Sequence, residues 1–162
     1  PNPKPQTPCI FKIFSKEIME NNEHIMNPKL LENLQKLISK ITQKKEATIF
    51  MEPVDYKALG LSDYPILIKK MMDFGTIQEN INSNFYKTVE ECLDDIQLIW
   101  DNCKLYNMED SDIYKIAQRF EIQTEKLIKE IFLEDLKYGK NNPSYFTLEE
   151  KRKNTERIER FF

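Results

Sequence analysis

The stretch Thr88–Tyr106 limits the possible folds more than any other part of the chain. Thr88-Val89-Glu90-Glu91 has the form of a capping box: the Thr88 hydroxyl can accept the Glu91 amide while the Glu91 side chain reaches back. Behind it Val89, Cys92, Leu93, Ile96, Ile99, Trp100, Cys103 and Tyr106 recur at three-and-four spacing for nearly five turns, a single apolar face. Such a helix needs apolar partners, and the chain supplies them in the same idiom. Asn27-Pro28 places a capping amide before a proline at the first helical position, and Leu30, Leu31, Leu34, Leu37, Ile38 and Ile41 follow as a stripe fading through Lys44-Lys45-Glu46. Asp73 can cap a helix that turns Ile77 and Ile81 inward and ends near Asn82–Asn84. A further helix starts in Asp110-Ser111-Asp112 and aligns Ile113, Ile116, Ala117, Phe120, Thr124, Leu127, Ile128 and Ile131. Four amphipathic helices with no strand pattern between them imply an all-α bundle.

The connection between the first two helices does not fit this idiom. From Thr48 to Tyr64 the apolar residues follow neither a helical nor a strand period, and Pro53 and Gly60 interrupt both. Ile49, Phe50, Met51, Val54, Tyr56, Leu59, Leu61 and Tyr64 nevertheless make it apolar, whereas disordered segments are poor in such residues. A long, ordered, apolar loop reads as the wall of a pocket. A short helical turn is expected over Pro65–Met71, where Ile66, Leu67 and Lys69-Lys70 form an amphipathic piece.

Outside these helices the pattern is weaker. Four prolines in residues 1–8 read as an extended linker; Thr7-Pro8 could open a short helix with Ile10, Phe11, Phe14 and Ile18 on one face, and an alternating strand through Ile10–Phe14 fits the same residues. After a break at Tyr138–Pro143, Thr147-Leu148-Glu149-Glu150 forms another capping box opening a highly charged helix. The expected organisation is thus an N-terminal linker over 1–26, the bundle over 27–133 and a C-terminal extension with a charged helix over 134–162. The chain opens Pro-Asn-Pro-Lys-Pro without an initiator methionine and is expected to be a segment of something longer.

Several functional classes lose support. A net charge of −3 argues against a nucleic-acid binder held by phosphate contacts. No apolar run approaches the ~18 residues of a membrane span. Cys9, Cys92 and Cys103 are odd in number and lack C-x-x-C spacing, so they read as reduced thiols rather than a disulfide framework or zinc site. His24 is the only histidine and lies in a loop pattern, and none of Gly60, Gly75 and Gly139 belongs to a phosphate-cradling loop. Glu90, Glu91, Asp94 and Asp95 could be imagined as an acid–base or metal site, but a run of this kind reads first as a solvated helix face. Catalysis, metal and cofactor are therefore not expected.

Asn107 is the informative polar residue. It follows the apolar stripe of the third helix directly, and two readings stand. Asn tolerates the left-handed conformation that ends helices, and spacing alone favours this cap. The other reading is a single amide facing an apolar pocket, the arrangement that holds a small neutral ligand by one directed bond.

Pro53-Val54-Asp55, Leu59-Gly60-Leu61, Asp63-Tyr64, Met72-Asp73-Phe74-Gly75-Thr76-Ile77 and Asn102-Cys103-Lys104-Leu105-Tyr106-Asn107, in this order and at these separations, make the chain resemble a bromodomain from about Leu30 to Ile131. The resemblance implies a left-handed four-helix bundle whose long first loop and short third loop form an acetyl-lysine pocket. It places the ligand-holding amide on Asn107 and the tyrosine that holds a bridging water on Tyr64. The mouth-lining residue falls on Ile113, the apolar wall on Val54, Leu59 and Leu61, and the aromatic floor on Phe50; Cys103 and Tyr106 join the site as part of the Asn107 motif. The implied partners are acetylated histone tails or other acetylated proteins, in the nucleus and within a larger chromatin-associated protein. Glu52, Asp55, Glu109, Asp110 and Asp112 would steer a basic peptide, although capping and ordinary surface also account for them. The chain departs from the family at the head of the loop, where Thr48-Ile49-Phe50 stands for the usual Trp-Pro-Phe, and at Met71-Met72-Asp73 for Pro-Met-Asp. The first departure keeps a rival expectation in play: a degenerate module that retains the bundle as a protein-interaction scaffold without acetyl-lysine binding.

Overall fold

The computed structural model describes residues 25–133. The expected N-terminal helix near Thr7–Ile18 and the charged helix opening at Thr147 lie outside these residues. The chain divides into two compact units at Leu127/Ile128. Five α-helices account for most of the described residues of the first: α1 (Pro28–Thr42), α2 (Tyr64–Leu67), α3 (Phe74–Asn82), α4 (Val89–Tyr106) and α5 (Asp112–Ile128), which runs one residue past the division. A 3₁₀ turn covers Lys45–Phe50, and in the second unit a π-helical turn covers Lys129–Leu133. Among the described residues no strand forms; Ile25 makes an isolated antiparallel bridge to Thr88.

The helix starts follow their caps. Asn27 Oδ1 accepts the Leu30 amide at 2.9 Å, Asp73 Oδ1 accepts that of Thr76 at 2.8 Å, and both halves of the Thr88–Glu91 box are present. At α5 the acids expected to mark the helix start are joined by a neutral cap. The Ser111 hydroxyl accepts the Tyr114 amide at 3.3 Å.

The bundle closes over a common core. Leu34, Leu37, Ile38 and Ile41 of α1, Phe74, Ile77 and Ile81 of α3, and Cys92, Ile96, Ile99 and Trp100 of α4 are all buried, with Ala117, Phe120 and Thr124 of α5. Leu30 and Leu31, expected in the α1 stripe, are only half-buried because they stand in the first turn. At the centre, Phe50 of the 3₁₀ turn meets Trp100 edge-on at 5.0 Å and Phe120 at 6.0 Å. Trp100 stacks on Phe120 at 5.7 Å and touches Phe74 at 5.7 Å. Aromatic pairs in these geometries contribute about 0.5–1.5 kcal/mol each beyond the area they bury. The head of the long loop is thereby fixed to α4 and α5.

The loop is shorter in irregular backbone than the sequence suggests, since the 3₁₀ turn takes its first residues and α2 begins at Tyr64. Between them the chain folds through tight turns: Leu61 N–H donates to Tyr56 O at 2.7 Å, and Ala58 N–H to Asp55 Oδ1 at 3.0 Å. Gly60 has φ +69°, the left-handed region that favours glycine. Gly75 at the head of α3 donates to Met51 O at 3.0 Å, and a Cβ there would stand 2.7 Å from that oxygen. Only glycine permits this approach, which ties the base of the loop to α3. The helical turn expected over Pro65–Met71 is confined to Tyr64–Leu67, because Ile68 turns extended.

One expectation about α4 is overturned. Asp95, read with Asp94 as solvated helix face, is only 4 % exposed. Its Oδ2 accepts the Tyr86 hydroxyl at 2.8 Å and its Oδ1 the Lys70 ammonium. A buried carboxylate needs such partners, and tertiary packing supplies them from outside the helix.

Candidate functional site

The C-terminal end of α4 and the end of the long loop meet through aromatic and polar contacts. Tyr64, the first residue of α2, is 7 % exposed; its ring stacks on Tyr56 at 6.2 Å and meets Tyr106 edge-on at 4.8 Å. Burial pushes the Tyr64 phenol above its ordinary range, and the neighbouring Cys103 sulfur adds to the shift. The hydroxyl therefore stays a neutral donor and acceptor at any physiological pH. Tyr106 donates its own hydroxyl to Asp63 Oδ1 at 2.8 Å. That carboxylate acceptor is the main reason the Tyr106 phenol is also raised.

Asn107 closes α4. Its backbone N–H donates to Cys103 O at 3.1 Å, so it is the helix C-cap as spacing indicates. The left-handed rationale for the cap fails, because its backbone is extended at φ −98° and ψ 151°. The positive φ that Asn tolerates occurs at Asn84 instead. Any residue could adopt the Asn107 backbone, so its identity must be explained by the side chain. Asn107 Nδ2 donates to Cys103 O at 2.9 Å and lies 3.7 Å from Cys103 Sγ. Both contacts fix the amide's orientation against Cys103.

Cys103 is 8 % exposed and links the end of α4 to α5, its thiol reaching Ile113 O at 3.6 Å. Burial pushes that thiol up to about 11, partly offset by the Asn107 amide and Lys104. A thiol so protonated is a poor nucleophile. Ile113, on the first turn of α5, is 37 % exposed.

The other expected site residues divide. Val54 and Leu61 are half-buried on the loop, whereas Leu59 is 64 % exposed, next to Gly60. Phe50 lies among Trp100 and Phe120 in the aromatic core. Sequence reasoning missed Tyr56 as the stacking partner of Tyr64, and Asp63 as the acceptor for Tyr106. The Asp63–Tyr106 bond joins residues 43 positions apart, which no local pattern signals. Glu52, Asp55, Asp63, Glu109, Asp110 and Asp112 are exposed, giving the loop and the α4–α5 connection an acidic surface. At Thr48-Ile49, Ile49 is 48 % exposed and the Thr48 hydroxyl donates to Lys45 O at 2.7 Å within the 3₁₀ turn.

Among the described residues, no group of three or more His, Cys, Asp or Glu side chains is placed to hold a metal ion. No helix among them is long and apolar enough to cross a membrane.

A family model described as Bromodomain matches residues 34–119. Transcription factor GTE1 of Arabidopsis thaliana is 40 % identical over 96 residues, which cover 59 % of this chain and 25 % of that protein. Transcription factor GTE5, chloroplastic, of the same plant is 35 % identical over 89 residues, covering 55 % and 18 %. The chain thus spans a quarter or less of the length of these relatives. Among solved structures, the second bromodomain of Candida albicans Bdf1, bound to an imidazopyridine, superposes with a TM-score of 0.60 at 30 % identity. That match covers 63 % of this chain and 99 % of the other.

Proposed function

The chain belongs to the bromodomain family, and from that premise we propose that it is a non-enzymatic reader of acetyl-lysine on histone tails or other nuclear proteins. Asn107 Nδ2 donates an N–H to the acetyl carbonyl. Tyr64 holds a water that bridges to the same oxygen. Val54, Leu61 and Ile113 line the approach, with Leu59 at its exposed edge and Cys103 and Phe50 beneath. The observation that carries this reading is the end of α4. An asparagine there has a backbone that any residue could adopt and a half-buried amide already oriented by Cys103.

The physics favours the acetylated over the free side chain. Acetylation replaces a hydrated ammonium by a neutral amide and a methyl group. An ammonium moved into an apolar site without a paired carboxylate loses several kcal/mol of hydration. The amide loses less, and its bond to Asn107, worth about 1 kcal/mol net, avoids the ~1–3 kcal/mol of leaving either group unpaired. The acidic surface raises the encounter rate with basic peptides.

The test is calorimetric titration of the chain and of Asn107→Ala against acetylated and unmodified histone peptides. The wild type is expected to give acetyl-dependent heat, and Asn107→Ala to weaken it roughly ten-fold or more. Unchanged affinity in the variant would sink the assignment. The exposed Thr48-Ile49 pair motivates a second reading, a bundle retained as an interaction scaffold. That reading prevails if the wild type itself shows no acetyl-dependent heat at millimolar peptide.

A further inference from the structure

The short helix α2 is weakly anchored by its own packing. Of its four residues only Tyr64 is buried; Ile66 is 65 % and Leu67 47 % exposed, and Pro65 is exposed as well. A single helical turn has no intrinsic stability to hold it in place. Polar ties from α4 bracket it instead. On its C-terminal side, Asn102 Nδ2 donates to the Lys70 carbonyl at 2.8 Å. On its N-terminal side, the Tyr106 hydroxyl donates to Asp63 Oδ1 at 2.8 Å. Asp63 immediately precedes Tyr64, and Tyr106 immediately precedes Asn107. One hydrogen bond therefore joins the chain neighbours of the two residues on which ligand recognition was placed. The edge-on contact of the Tyr64 and Tyr106 rings at 4.8 Å runs alongside it.

We propose that Asp63 and Tyr106 form a latch that sets the position of Tyr64 relative to Asn107, so that both act on acetyl-lysine affinity as positioning residues. This rests on the acetyl-lysine reading above and adds a residue, Asp63, and a role for Tyr106 that does not require its hydroxyl to touch the ligand. The bond crosses from loop to helix at the site itself. Losing it frees the N-terminal side of α2 while Asn102 still holds the other. The separation of the Tyr64 hydroxyl and the Asn107 amide then varies, and an acetyl group needing both finds them together less often. Because the pair lies at the surface, the latch contributes little to global stability.

The variants separate position from bulk. Tyr106→Phe keeps the ring against Tyr64 and removes only the donor. Asp63→Ala removes the acceptor, whereas Asp63→Asn keeps an oxygen that can accept. Calorimetric titration of the 162-residue chain with an acetylated peptide is expected to show Tyr106→Phe and Asp63→Ala each weakening binding about five-fold, the size of one net hydrogen bond, and Asp63→Asn by no more than about two-fold. The Tyr106→Phe/Asp63→Ala double variant is expected to bind no more weakly than the worse single one, since each removes the same interaction. Melting temperatures should stay close to wild type, whereas a merely structural pair would move them and leave affinity alone. Wild-type affinity in both single variants, or single losses that multiply in the double, overturns the latch while leaving the acetyl-lysine reading intact. Absence of acetyl-dependent binding in the wild type overturns both.

Discussion

Two polar clusters sit on α4, one in its first half and one at its end, and they are built on opposite plans. In the first, Asp95 and Tyr86 are each 4 % exposed. Asp95 receives the Tyr86 hydroxyl on one carboxylate oxygen and Lys70 on the other, and Asn80 Nδ2 donates to the Tyr86 oxygen at 3.2 Å. In the second, Asp63 is exposed, Tyr106 and Asn107 are half-buried, and the Asn107 amide rests on Cys103 O and Sγ. A closed network in low dielectric holds shape and has little left to offer a ligand. An oriented one within reach of solvent can exchange partners with a ligand. In the proposed reading, the difference separates polar residues that build the bundle from those that serve the ligand.

The largest expected effect tests the first half of that contrast. Asp95→Ala leaves the Tyr86 hydroxyl buried without its acceptor and is expected to cost about 3 kcal/mol by urea denaturation, as for other buried networks that lose one member. Asn107→Ala, with its half-exposed amide, is expected to cost less than about 1 kcal/mol of stability while weakening acetyl-lysine binding roughly ten-fold or more. Equal losses of stability in the two variants would break the distinction.

Each cluster also holds a thiol, and alkaline pH reads both. Burial, then the Asp95 charge, pushes Cys92 up to about 12; burial pushes Cys103 up to about 11, against an ordinary thiol value of 9.0. Above pH ~9 the unfolded chain has released protons that the folded chain keeps. The stability these thiols contribute is thus fully present below that point and lost as pH rises toward the folded values. Cys103 alone accounts for a loss on the order of 2 kcal/mol by the top of its range. Urea denaturation across this range should show a shallower fall for Cys103→Ala than for wild type. An equal slope would mean that Cys103 is not held protonated by burial.

What could be read in advance follows the sequence range of each interaction. The caps at Asn27, Asp73 and Thr88 were legible because donor and acceptor lie three residues apart. The helical stripes were legible because burial repeats with the helix. Asp95 was misread because its partners stand 9 and 25 positions away, and within α4 it looks like its solvated neighbour Asp94. Asn107 was marked as a helix end by local pattern, but its extended backbone was not. The family motif, not the spacing, pointed to its side chain. Asp63 went unnoticed as a partner of Tyr106 for the same reason as Asp95. Residues that bridge elements carry no periodic signal of their own.

The smallest expected effect decides what holds Asp95. The Lys70 side chain is 62 % exposed while that of Asp95 is 6 % exposed, so this ion pair straddles the boundary of the bundle. With the lysine in water, such a pair contributes on the order of 1 kcal/mol or less and weakens with salt. The Tyr86 hydroxyl is buried and remains when Lys70 is replaced. Lys70→Gln is therefore expected to lower stability by less than about 1 kcal/mol, with most of the difference gone at high salt. Urea denaturation at low and high salt measures both. If Lys70→Gln instead costs as much as Asp95→Ala, the carboxylate depends on the cation rather than on the tyrosine. The first cluster would then be a charge pair open to the surface, and its contrast with the Asn107 end of α4 would rest on depth alone.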